Sequence, residues 1–142
     1  MVDKAKRVPK DRSFIRSDEL RNGTLEGQPG VLIPLRLPSY RALPLSCIEK
    51  FEISIDGKAA DPEGMRLVLN GISHSIDSLP QKSALFWWVF DPADLFVPWP
   101  EALPAGEHLV QGVMADVEPY MTVGRFTFYY QAEKRLTVAE GI

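Results

Sequence analysis

At 142 residues, with 45% hydrophobic and 25% charged, the chain is sized and composed for one folded domain with a sizeable core, which excludes a disordered protein. Its net charge of −3 argues against a general nucleic-acid or membrane-surface binder, either of which needs a basic face. No apolar run approaches the roughly 20 residues of a membrane helix. The start lacks the apolar stretch of a signal peptide, and a single cysteine, Cys47, allows no intrachain disulfide, so a reducing cytoplasm is the expected compartment.

Lys4, Lys6, Arg7, Lys10, Arg12 and Arg16 crowd the first residues, interrupted by Asp3 and Asp11. Residues 1–12 therefore read as a flexible, solvated basic arm. Residues 13–132 read as the domain, and residues 133–142 as a C-terminal tail. Val31 opens an apolar strand that breaks into a Pro-punctuated loop, with Arg36, Tyr40 and Arg41 set among Pro34, Pro38 and Pro44. Proline fixes φ and removes a backbone donor, so this loop presents its side chains at low entropic cost. Arg and Tyr are enriched where proteins meet partners. Cys47, beside Ile48 at a strand start, reads as a buried, inert thiol.

Period-2 alternation then recurs at short intervals. Phe51, Ile53 and Ile55 alternate with Glu52 and Ser54 and run into Asp56-Gly57, a tight-turn dipeptide. Met65, Leu67 and Leu69 lead to Asn70-Gly71, and Ile72, His74 and Ile76 form the return. Ser75–Lys82 suits one helical turn. Leu85–Phe90 (LFWWVF) is apolar on both faces, like a strand covered on both sides, and Asp91-Pro92 ends it. Asp94–Val97 reads as a brief strand, and Pro98, Pro100 and Pro104 stiffen the loop after it. Glu107–Val117 is a long strand broken by Glu118-Pro119, and Met121–Ala132 is the last core strand, with Phe126, Phe128 and Tyr130 on one face. This predicts an all-β, single-domain fold of about eight strands, mostly antiparallel, in a two-sheet sandwich, with a closed barrel as the alternative.

Catalytic signatures are missing. His74 and His108 lie in separate hairpins with no second ligand at metal spacing, so both read as solvated or edge histidines and no metal is expected in this chain. The pairs Asp91/Asp94 and Asp116/Glu118 read as turn-forming and solvated carboxylates respectively. No nucleophile elbow, P-loop or dinucleotide fingerprint occurs. On one strand Trp87 and Trp88 point to opposite faces, so one fills the core and the other lies under a loop, a partner or a ligand. Trp99, between Pro98 and Pro100, is a similar anchor candidate.

The run Pro34–Glu49 (PLRLPSYRALPLSCIE), the Ile55-Asp56-Gly57 hairpin, Arg66–Gly71 (RLVLNG), the W-x-F-D-P segment Trp88–Pro92 and Pro104–His108 (PAGEH) together resemble the small β subunit of C-glycoside deglycosidases, over roughly Ser13 to Tyr130. The resemblance implies a β-sandwich that assembles with a larger TIM-barrel α subunit, which carries a divalent metal, usually manganese, and the catalytic histidine. The complex it implies cleaves the C–C bond between an aromatic aglycone, such as a flavonoid, and a 3-oxo-sugar. It implies no catalytic residue and no cofactor in this chain. Arg36, Tyr40, Arg41, Trp87, Trp88 and Trp99 are the candidates for the partner interface or a shared cavity, and Arg41→Ala is expected to weaken assembly without unfolding the domain. A stand-alone carbohydrate- or protein-binding sandwich is the competing reading, and an independent barrel enzyme a more distant one.

Overall fold

The computed structural model describes residues 5–6, 13–38, 42–120 and 124–139, and of these it describes the side chains of all but 5–6, 118–120 and 124–126. Twelve strands occur among them: β1 (Ala5–Lys6), β2 (Arg21–Leu25), β3 (Gln28–Leu35), β4 (Leu43–Pro44), β5 (Ile48–Ile55), β6 (Lys58–Ala59), β7 (Arg66–Leu69), β8 (Ile72–Ser75), β9 (Phe86–Trp87), β10 (Ala93–Pro98), β11 (Gly106–Tyr120) and β12 (Gly124–Val138). Eight of these are four residues or longer, and those eight carry the two main sheets. One sheet has the order β1-β12-β11-β5-β6, the other β2-β3-β10-β7-β8, and β4-β9 is a separate ribbon. Every pair of named strands is antiparallel except β1 with β12. The fold is thus nearly all-β and is not a closed barrel.

The alternation read from the sequence sets the inward faces. Phe51, Ile53 and Ile55 of β5, with Val110 and Met114 of β11, meet Val31, Ile33 and Leu35 of β3, Leu67 and Leu69 of β7, and Leu95 and Val97 of β10 in one continuous core. Asp56-Gly57 and Asn70-Gly71 form the expected tight hairpin turns, with φ of 52° and 83°, and of 52° and 80°. A third turn of the same kind, Glu26-Gly27 (φ 51° and 80°), joins β2 to β3. Glutamate is a poor left-handed residue, so that hairpin left no turn signal in the sequence. The short helix expected near Ser75–Lys82 is a 3-10 helix over Ile76–Gln81.

Several expectations are corrected. The long strand does not break at Glu118-Pro119: β11 stays paired with β12 to Tyr120. Its pairing with β5 ends at Asp116, so Pro119 lies where β11 has one neighbour, a position that tolerates a missing donor. β12 likewise runs on through Glu133–Val138, where the sequence predicts a tail, because Leu136 and Val138 are buried against the core. Asp116, read as solvated, has no exposed surface. Asp116 shares a face with Val110 and Met114, so plain alternation along β11 points it inward. The ladder slip beside it, where Ala115 faces Lys50 and Asp116 faces Ile48, leaves Glu49 as the extra residue on β5. Both histidines are buried rather than solvated, for reasons given below. The stretch 84–90 is not one strand: only Phe86–Trp87 is paired, with Pro44 and Leu43.

Candidate functional site

The large hydrophobic side chains left exposed among the described residues are Ile72, Leu85, Phe86, Trp88 and Phe90, and the fold gathers them at one end of the sandwich. The β4-β9 ribbon starts this arrangement. Leu43 pairs with Trp87, and the Leu45 amide donates to the Leu85 carbonyl at 2.8 Å. Trp87 is 0% exposed, and its indole N–H donates to the Asp91 carbonyl at 2.9 Å. The Asp91 amide in turn donates to the Trp88 carbonyl at 2.9 Å. A tight turn therefore hangs from a buried tryptophan and pushes Trp88, 60% exposed, and Phe90, 94% exposed, outward. The rings of Phe86 and Trp88 stack on each other at 5.8 Å between centroids. Asn70, in the β7-β8 turn, reaches the Asp91 carboxylate at 3.3 Å, which brings the neighbouring Ile72, 61% exposed, to the same end.

The base of this end is rigid. Arg16 donates from Nε to the Leu35 carbonyl at 2.8 Å and from Nη2 to the Ala93 carbonyl at 3.2 Å. It also contacts Asp18 and stands 3.6 Å from Asp94. Arg36 donates its amide to the Phe14 carbonyl at 2.9 Å and its Nε to the Ser13 carbonyl at 2.9 Å. These bonds tie the segment before β2 to the ends of β3 and β10, beside the turn that carries Trp88 and Phe90.

The sequence candidates separate as follows. Trp87 is the core tryptophan and Trp88, which starts the turn after β9, the outer one. Trp99 is largely buried, with the Lys58 ammonium 5.2 Å from its ring centroid. Arg36 is half-buried and committed to backbone carbonyls. Tyr40 and Arg41 lie outside the described residues. What the sequence reading missed is Phe90, the most exposed large hydrophobic of the described chain. The signal was available: Asp91-Pro92 forces a turn directly after it, and a residue entering such a turn leaves the sheet.

Neither histidine is arranged for catalysis. His108 Nδ1 stands 2.6 Å from an Asp56 carboxylate oxygen, and its Nε2 stands 2.8 Å from the Pro104 carbonyl. The Asp56 hydrogen bond and the Pro104 carbonyl raise its pKa. Burial lowers that of His74, helped by the charges of Lys82 and Arg66, and Lys82 Nζ donates to its Nδ1 at 2.7 Å. Cys47 is buried. Among the described residues, no three of His, Cys, Asp and Glu converge on a point that could hold a metal ion, so these residues do not fit a divalent-metal site. No helix of the described residues is long and apolar enough to cross a membrane.

The outer face of the β5-β11-β12 sheet carries a shallow trough of about 570 Å³, in which Glu52, Ser54, Gln111 and Glu133 face solvent around Gly112. Gln111 donates to Glu133 at 2.8 Å. The trough has no aromatic wall and no buried titratable group, and it offers neither a stacking platform nor an acid–base pair.

Residues 10–120 match the family model described as C-glycoside deglycosidase beta subunit. The chain is 32% identical over 121 residues to the 3'-dehydrocarminate deglycosidase beta subunit of a Microbacterium species, covering 85% of each chain. It is 40% identical over 77 residues to a C-glycoside deglycosidase beta subunit of Microbacterium trichothecenolyticum, covering 54% of this chain and 59% of that one. A C-glycoside deglycosidase beta subunit of Arthrobacter globiformis is 31% identical over 94 residues, covering 66% of this chain and 67% of that one. The apolar end and its supporting turns fall inside the matched span, and the chain belongs to the C-glycoside deglycosidase beta subunit family.

Proposed function

We propose that this chain is the non-catalytic partner in a two-subunit lyase that splits the C–C bond between an aromatic aglycone and a 3-oxo-sugar. The observation that carries this reading is the concentration of exposed aromatic and aliphatic side chains at one end of a family member whose relatives are named as beta subunits. A folded domain that works alone rarely leaves so much apolar surface in water. The metal and the base belong to a larger TIM-barrel α subunit in this account, and this chain lends it shape and exclusion of water.

The chemistry fits an α-keto carbanion mechanism on that subunit. A 3-oxo group acidifies the sugar C2–H, and the base takes that proton. The electron pair left behind forms the C1–C2 double bond as the bond from C1 to the aryl carbon breaks. The aryl carbon then takes up a proton and leaves as the free aglycone. The first relative is named for 3'-dehydrocarminate as its complex's substrate, and an aryl C-glycoside of the 3-oxo series is the class assigned to this chain's complex. A closed interface beside the reacting carbons supports such a step by keeping water from the carbanion.

The test is a three-way assay of aglycone release from a 3-oxo-C-glucoside, with this chain alone, the candidate α subunit alone, and both together. The account expects turnover only with both present. Release by this chain alone overturns it.

A further inference from the structure

We infer that the sandwich docks onto the catalytic subunit end-on, through the Leu85–Phe90 turn, with Phe90 as the anchor that enters a pocket on the partner. This rests on the subunit reading above and adds the surface. The stretch Ser83–Phe90 contains no charged residue, and Leu85, Phe86, Trp88 and Phe90 all stand in solvent. Aromatic side chains cover about 150–250 Å² each. Their exposed fractions here, with Ile72 beside them, come to several hundred Å², the range in which a patch marks an interaction site. Interface centres are poor in charge and rich in aromatics, and anchor residues are the protruding ones that fill a pocket on the other side.

The turn is also built to present these groups. Trp87 is sunk in the core and tied to the Asp91 carbonyl, Asn70 holds the Asp91 carboxylate, and the Leu45–Leu85 bond fixes the other flank. Phe90 therefore pays little ordering entropy on binding. The ribbon pairs Leu43–Trp87 and Pro44–Phe86 bring Leu43 and Pro44 beside this turn.

The patch suits a protein better than a sugar. A sugar platform needs an open aromatic face ringed by donors and acceptors for hydroxyl groups. Here Phe86 and Trp88 stack on each other, and Ser83 is the sole polar side chain between Lys82 and Asp91. A second copy of this chain is the other occupant an apolar end admits. The family's beta-subunit name favours the partner subunit over it.

The experiment measures binding of the purified chain to the immobilised candidate α subunit by interferometry, for the wild type, Trp88→Ser, Phe90→Ser, the double variant, and Glu52→Ala on the outer face of the other sheet. Circular dichroism and thermal melts accompany each protein. All variants change exposed side chains, so all should fold. The inference expects Phe90→Ser to weaken binding at least tenfold, the double variant to weaken it at least a hundredfold, and Glu52→Ala to bind like the wild type. Unchanged binding of the double variant overturns the docking surface while leaving the subunit reading intact. No wild-type binding overturns the subunit reading itself, and the inference falls with it. A wild-type chain that dimerises alone, and that the double variant turns into a monomer with undiminished α-subunit binding, overturns the inference in favour of a second copy. Saturable binding of a sugar, lost in Trp88→Ser with α-subunit binding kept, overturns it in favour of a carbohydrate platform.

Discussion

Asp56 and His108 stand 2.6 Å apart, carboxylate oxygen to Nδ1, and they join the Asp56-Gly57 turn to the start of β11. The other carboxylate oxygen of Asp56 accepts the Leu109 amide at 2.9 Å, and the Asp56 amide donates to the Leu109 carbonyl at 2.8 Å. His108 Nε2 faces a carbonyl as well, so both ring nitrogens face acceptors, an arrangement that favours the imidazolium. Two stretches that looked like ordinary turn motifs are thus one clasp.

The clasp gives the domain a pH profile. The raised pKa of His108 means that its contribution is complete below its ordinary 6.5 and is lost as pH rises through the higher folded value. The lowered pKa of Asp56 places that group's contribution above its ordinary 3.8, and it is lost as pH falls through the lower folded value. His108→Gln is expected to lower stability at pH 6 by about 1–2 kcal/mol, held to that range because the Asp56 side chain is half exposed. The difference from the wild type should shrink as pH rises through that raised folded value. Denaturant titrations from pH 6 upward check this, and a loss that does not change with pH contradicts it.

His74 works in the opposite direction. It is buried as the neutral ring, with Lys82 donating to it, so its burial carries no charge penalty above pH 6.5. As pH falls below that value the unfolded chain binds a proton that the folded chain refuses, and stability drops until the lowered folded pKa is passed. His74→Leu should flatten the acid side of the melting-temperature profile between pH 6.5 and 5. An acid limb equal to that of the wild type would show that other groups set it.

Trp87→Phe keeps most of the buried ring but leaves the Asp91 carbonyl without its indole donor. A loss of about 1–3 kcal/mol is expected. Because the same bond holds the turn that presents Trp88 and Phe90, binding to the α subunit should weaken as well, although residue 87 is itself buried. Calorimetric melts and the interferometry assay read the two effects separately.

Gly30 lies in β3, where an added Cβ would come within 2.4 Å of the Phe96 ring and of the Val97 carbonyl oxygen. Backbone cannot step aside there without opening the β3-β10 ladder. Gly30→Ala should therefore cost about 3 kcal/mol, seen as a shifted urea midpoint, whereas Gly57→Ala, with open space around its Cβ, should cost less and act through its positive φ alone.

The framework was legible because burial on one face of a strand writes period 2 into the sequence. Phe51, Ile53, Ile55, Leu67 and Leu69 all face the core as read, and both Asx-Gly hairpins form. Three kinds of feature were not legible. What covers the far end of a long strand leaves no mark in composition, so Asp116, on the same face as Val110 and Met114, reads as solvated although it is buried. Long-range pairing is invisible too: nothing local says that His108 meets Asp56 or that Leu43 meets Trp87, and His108 reads as solvated for that reason. The double-faced apolar run at Leu85–Phe90 reads as a strand covered on both sides. Its outer side is a surface of the isolated chain, since what covers it in this account is another polypeptide. Tyr40 and Arg41 lie outside the described residues, and their assignment to the interface stands as a proposal beside Phe90 and Trp88.

The central claim is that this domain is one half of an enzyme. Co-expression with the candidate α subunit from the same genome, followed by size exclusion with mass detection, tests it most directly. The account predicts a stable hetero-oligomer that releases aglycone from a 3-oxo-C-glucoside, with neither component active alone. Separate elution of the two chains, or full activity in the fractions that lack this chain, would contradict it.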